Sequence, residues 1–195
     1  IGVRLVGSEM CIRDRLNSTG SFIGGGVEME LSSSSYSAIL GGKKHNADNS
    51  DESVIVGGNT NKILSSTGSF IGAGKQHEIT SSKSSTLAGG FNNDIKVSAF
   101  SAILGGQQIT IENSTGSFIG AGQTNTILNG ADSSIVAGIG NKIRGPHAEQ
   151  SFVGGGEGNV ISGSEFSVIA GGKTNLLYYA SQASTIGGGF ENRIN

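Results

Sequence analysis

A chain of 195 residues with 34 glycines, one proline and no tryptophan is not an ordinary globular inventory. Glycine keeps no three-residue period and proline is nearly absent, which excludes a collagen triple helix. Charged residues make up 14% of the chain and the net charge is −2, so no basic surface is available to neutralise phosphates or grip acidic lipid head groups, and nucleic acid is not an expected partner.

Residues 1–15 share nothing with the rest of the chain. The stretch LVGSEMCIRDR resembles a translated sequencing-adaptor read-through, so 1–15 is read as a non-native or disordered leader and 16–195 as the repeat domain. Arg4 and Glu9 interrupt any apolar run long enough for a signal peptide or a membrane span, and no membrane insertion is expected of this segment. The only cysteine, Cys11, lies in the leader, which leaves the repeats without disulfide or thiolate chemistry.

From Ser21 onward the chain repeats. Units open at Ser21, Ser37, Ser53, Ser69, Ser85, Ser101, Ser117, Ser133, Ser151, Ser167 and Ser184, a spacing of 16 with steps of 18 and 17 near the end. Two residues after each serine stands an aliphatic residue, from Ile23 to Ile186, and five residues after it a glycine, from Gly26 to Gly189. A second aliphatic row comes ten residues after the serine, from Leu31 to Ile194, broken only by Ala47. Each unit therefore predicts two short strands separated by a turn that demands glycine. The extra residues, around 144–150 and 178–183, come after the second aliphatic row, where an outward corner tolerates insertion.

Two residues before the second aliphatic row stand Asn61, Asn93, Asn125, Asn141, Asn159, Asn175 and Asn192. Strand alternation turns each to the same face as its isoleucine. A structural ladder of amides bonding to the coils above and below is expected. A unit of this size cannot bury its own apolar face, so copies must stack. The expected fold is all-β, a parallel β-solenoid of about eleven coils with two strands each, on the order of 50 Å long. The chain stops at Asn195 inside a unit, which predicts that it is a fragment of a longer protein.

The outward positions of the two strands differ. Beside the second row they read Glu30, Asn46, Lys62, Glu78, Asp94, Thr110, Thr126, Lys142, Val160, Leu176 and Arg193, a face most of which is wet. Beside the first row they are almost wholly apolar, and large residues accompany small ones: Phe22 with Gly24, Phe70 with Gly72, Phe118 with Gly120, Phe152 with Gly154, Ala38 with Leu40, Ala102 with Leu104, Val54 with Val56. Such compensation is expected where both positions pack against something. An apolar row this long exceeds what a soluble monomer exposes, so Phe22, Leu40, Val54, Val56, Phe70, Leu104, Phe118 and Phe152 are expected to form an interface in a homo-oligomer.

Catalytic chemistry lacks its parts. The glycine clusters lead into no helix and carry no Lys-Ser/Thr in the frame of a phosphate loop. His45 and His77 occupy the Asn position two coils apart, about 10 Å, too far for one metal. His147 is expected to be solvated in the inserted corner beside Pro146. Serines have no paired base, and acidic residues form no recurring close pair. No enzyme activity, cofactor, catalytic residue or metal site is expected.

Units such as SQASTIGGGFENRI and SSTGSFIGAGKQHEI resemble the head repeats of trimeric autotransporter adhesins, the YadA-like β-roll, and similar stretches of phage tail-fibre proteins, over residues 17–195. The family's usual Ser-Val-Ala-Ile-Gly step places the isoleucine one residue later in a slightly shorter repeat, so no binding residue carries over position by position. The resemblance implies a homotrimer of parallel rolls displayed outside the cell, on a bacterial surface or a virion, where it contacts a host surface or extracellular matrix. The expected function is a structural or adhesive module whose repetition supplies rigidity and multivalence. The alternatives are a tail-fibre shaft or receptor-binding segment, an ice-binding solenoid, which would need regular outward threonines, and a carbohydrate-active solenoid enzyme, which would need a carboxylate cleft.

Overall fold

The structure, a computed structural model, describes residues 13–179 and 182–195. The backbone winds into a parallel β-solenoid. An eleven-stranded sheet takes the first strand of every coil, from Phe22–Ile23 to Thr185–Ile186, and a twelve-stranded sheet takes the second, from Arg13–Leu16 to Arg193–Ile194. All pairings are parallel and follow chain order, with Ile39 beside Ile55 on one sheet and Ile95 beside Ile111 on the other. A third ladder of single-residue bridges, Val27 to Lys43 through Lys173 to Phe190, runs between them at the glycine turn. The strand Arg13–Leu16 pairs with Met29–Ser32 and begins upstream of the Leu16 boundary read from the sequence; the rest of the leader, 1–12, lies outside the described residues.

The interior is a column of aliphatic side chains. Ile39, Ile55, Ile71, Leu87, Ile103, Ile119, Ile135 and Ile169 from one sheet meet Leu31, Ile63, Ile79, Ile95, Ile111, Ile127, Ile143 and Ile161 from the other, all fully buried. Among the described residues no aromatic side chain belongs to this core. β-branched residues suit a column in which each side chain stacks on an identical one in the next coil.

The glycine five residues after the serine is required twice over. In all eleven coils it adopts a left-handed φ, between 89° at Gly156 and 119° at Gly26. A Cβ at Gly42 would also lie 2.6 Å from the carbonyl oxygen of Gly58 in the next coil. Up to three further corner positions in a coil take left-handed backbone, many of them with ordinary residues such as Lys44, Asn49 and Glu52. One of them is Val97, at φ 50°, a β-branched residue in a conformation that type resists.

The 18-residue step is absorbed without loss of register: Ser134 still faces Phe152 and Lys142 still faces Val160. Pro146 and His147 form an added exposed turn, after which Ala148 points back inside, fully buried. The second insertion includes residues 180 and 181, which lie outside the described residues.

Candidate interaction face

The two sheets share one interior and present different exteriors. On the eleven-stranded sheet the outward residues are those one and three positions after each serine, and none of them carries a charge. Phe22 is 56% exposed, Leu104 53%, Leu40 45% and Phe70 38%; Val56 and Phe152 are also exposed, while Val54 and Phe118 are half-buried. Tyr36, Phe100 and Phe166, each one residue before an opening serine, extend the apolar strip around the adjacent corner.

The size compensation along this strip has a local cause. The ring of Phe22 reaches to 3.1 Å of the point where a Cβ would stand on Gly24, and Phe70, Phe118 and Phe152 approach Gly72, Gly120 and Gly154 to 3.3, 3.5 and 3.3 Å in the same way. Each phenylalanine therefore lies over the glycine of its own coil. In the four phenylalanine coils, large beside small is satisfied within one chain. What a single chain leaves unsatisfied is the outer surface of those rings and leucines.

The twelve-stranded sheet is polar at its margins and paired. Lys44 reaches Glu28 at 3.4 Å, Lys173 reaches Glu157 at 3.1 Å, and Asn46 donates to Glu30 at 2.9 Å. Lys96 pairs with Asp94 at 3.1 Å; burial pushes the Asp94 carboxyl up, and the lysine partly offsets this. This exterior is not wholly wet, because Leu64, Leu128, Val160, Leu176 and Tyr178 also lie on it, half-buried. A shallow depression lined by Glu28, Glu30, Lys44, Thr60 and Lys62 carries charges of both signs and favours neither cation nor anion.

Inside the coil the asparagines bond to the next coil's asparagine through its backbone N–H and to the glycine turn. Asn125 donates from Nδ2 to the carbonyls of Ala121 and Gly138, both at 2.9 Å, and its Oδ1 accepts the backbone N–H of Asn141 at 3.0 Å. Asn61, Asn93, Asn141, Asn159 and Asn175 repeat the pattern, and all six are fully buried, whereas Asn192 is exposed. Among the described residues, amide-to-amide contacts occur only from Asn175 to Asn159, 3.2 Å, and from Asn192 to Asn175, 3.0 Å. The expected ladder thus also clamps the glycine turn: it supplies a donor to carbonyls such as that of Ala121 and a second donor to the Gly138 carbonyl, which already accepts the Gln123 N–H at 3.0 Å.

Sequence reasoning used the serines only as markers, and missed that they form two buried ladders. Ser37 donates from Oγ to the Ser50 carbonyl at 2.6 Å and accepts the Ser53 N–H at 3.0 Å. Three residues before each opening serine a second row, Ser34, Ser50, Ser66, Ser82, Ser98 and Ser114, does the same at the other end of that connecting segment: Ser34 accepts the Ser50 N–H at 2.8 Å. Its signal was available as a further serine on the same period. The row lapses at Gly130 and Ala148, next to the insertion.

His45 and His77 replace asparagine and are buried. Their Nδ1 atoms accept the backbone N–H groups of Asn61 and Asn93 at 3.1 and 3.2 Å, which assigns the ring proton to Nε2. Nε2 makes no hydrogen bond in either ring. Burial lowers both pKa values, against an opposing contribution from nearby backbone groups. Neither ring is free to bind a ligand. The third histidine is placed differently. His147 is exposed, as the sequence predicts, and its imidazole also stands 3.4 Å from Glu165; the ligand atoms of His147, Glu149 and Glu165 all lie within 4.8 Å of one another.

Among the described residues no helix is long and apolar enough to cross a membrane. Comparison with protein-family models and with curated proteins finds no match for this chain.

Proposed function

We propose that the chain is a non-enzymatic structural and adhesive module that assembles with copies of itself through the outer face of the eleven-stranded sheet. The observation that carries this reading is the contrast between the two exteriors. One runs the length of the solenoid without a charged residue and leaves Phe22, Leu40, Phe70 and Leu104 open, while the other is edged with paired charges. Apolar strips of that extent mark association surfaces. The likeness of the repeats to trimeric adhesin heads supports three copies, an extracellular setting on a bacterial surface or virion, and a host surface or matrix as the target. Rigidity and repetition then present many identical weak contacts at once.

Light scattering coupled to size exclusion tests the assembly. The expected mass is about three times the 19.7 kDa of one chain, and Leu40→Lys with Leu104→Lys should return it to a single chain with the β-sheet circular dichroism unchanged. A strictly monomeric wild-type chain at all concentrations overturns the reading.

A further inference from the structure

We propose that His147, Glu149 and Glu165 bind one divalent transition-metal ion, with Zn2+ the best match to the ligand set. Glu149 and Glu165 each stand two residues before an opening serine, Ser151 and Ser167, so they occupy the same place in adjacent coils. The Phe166 N–H donates to the Glu149 carbonyl at 3.2 Å and holds the two coils in that register. Like charges stacked at the same turn position of adjacent coils repel. Among the described residues no lysine or arginine pairs with either glutamate; His147, at 3.4 Å from Glu165, is the ion-pair partner they have, and Gln182 donates to Glu165 Oε2 at 3.4 Å. Glu149 Oε2 is shut off from solvent with no hydrogen-bond partner, an arrangement that costs free energy unless something positive meets it.

The imidazole comes from the two added residues of the 18-residue step, so no regular coil could supply it. One nitrogen and two carboxylates favour a transition ion over Ca2+ or Mg2+, which prefer oxygen alone. Three protein ligands leave a fourth tetrahedral position to water. The location has its own logic. Of the two buried serine rows the second lapses at Gly130 and Ala148, on this same corner, while the opening-serine row runs on through Ser133, Ser151 and Ser167. An ion bridging Glu149 to Glu165 restores from outside a link that the interior has lost there.

The test uses the untagged full chain in a Cys11→Ser background, which removes the other thiophilic ligand. Calorimetry and metal analysis at neutral pH should find one Zn2+ per chain, with a melting temperature raised by Zn2+ and returned by a chelator. His147→Asn, which tolerates the left-handed φ of 62° at that position, should weaken binding at least ~10-fold and leave the metal-free melting temperature unchanged. Glu165→Gln should weaken it as much. The proposal is overturned by no Zn2+ uptake at saturation, by Ca2+ binding as tightly as Zn2+, or by wild-type affinity in His147→Asn. Because that residue lies outside the regular coil, its result stands even if Glu165→Gln fails to fold.

Discussion

The two sheets are built from the same sixteen-residue unit and differ in almost nothing that faces inward. Both send an aliphatic side chain to the core, and both are closed by buried polar rows, the serines at two corners and the asparagines beside the glycine turn. Outside they part: rings and leucines without charge on one, ion pairs along the margins of the other. The lesson is that the interior decides the coil, whereas the exterior is free to vary and so holds whatever the molecule recognises.

The sharpest way to break this comparison is to damage what the sheets have in common. Asn141→Ala would leave the Ala137 carbonyl and the Asn159 N–H without a partner inside the coil, while the Gly156 carbonyl keeps the Ile139 N–H. At about 1–3 kcal/mol for each of the two buried groups left unpaired, a loss on the order of 2 kcal/mol or more is expected in urea denaturation. A cost under about 1 kcal/mol would mean that water replaces the amide and that the clamp is dispensable.

A smaller effect, confined to the two histidine-bearing coils, should appear with pH. Burial holds His45 and His77 below the ordinary value of 6.5, so the unfolded chain binds more protons than the folded one once the pH drops below that value. Stability is expected to be full above about pH 6.5 and to fall as the pH is lowered through the folded values. His45→Asn with His77→Asn should flatten that part of the profile, since asparagine fills the same place elsewhere. An unchanged slope in the double variant would assign the acid sensitivity to other groups.

The least effect is expected from the charged exterior. Lys44→Ala removes the 3.4 Å pair with Glu28, in which both side chains are about half exposed, and should change stability by no more than about 0.5 kcal/mol and the assembled mass not at all. If it dissociated the assembly, the partner-facing side would have been assigned to the wrong sheet.

Much of the fold was legible as period. Serine, isoleucine, glycine and the second aliphatic row recur on one spacing, and a repeat too short to bury its own face has to stack. The third ladder, at Val27 and Lys43, was not legible, because a bridge of one residue leaves no alternation to read. The phenylalanine over its own glycine escaped for a different reason. Composition shows that large accompanies small, but only the folded chain shows whether the neighbour belongs to the same coil or to another molecule.

By itself the sequence determined the solenoid, its coil length, its inward rows and the contrast of its exteriors, since each arises from periodicity and polarity along one chain. Tertiary structure alone decided how the buried amides and hydroxyls are spent, because their partners are backbone groups of neighbouring coils that carry no sequence signal. It also decided that His147, Glu149 and Glu165 meet. An insertion shifts the numbering while the hydrogen-bonded register holds, and contacts across that corner exist only once the coils are stacked.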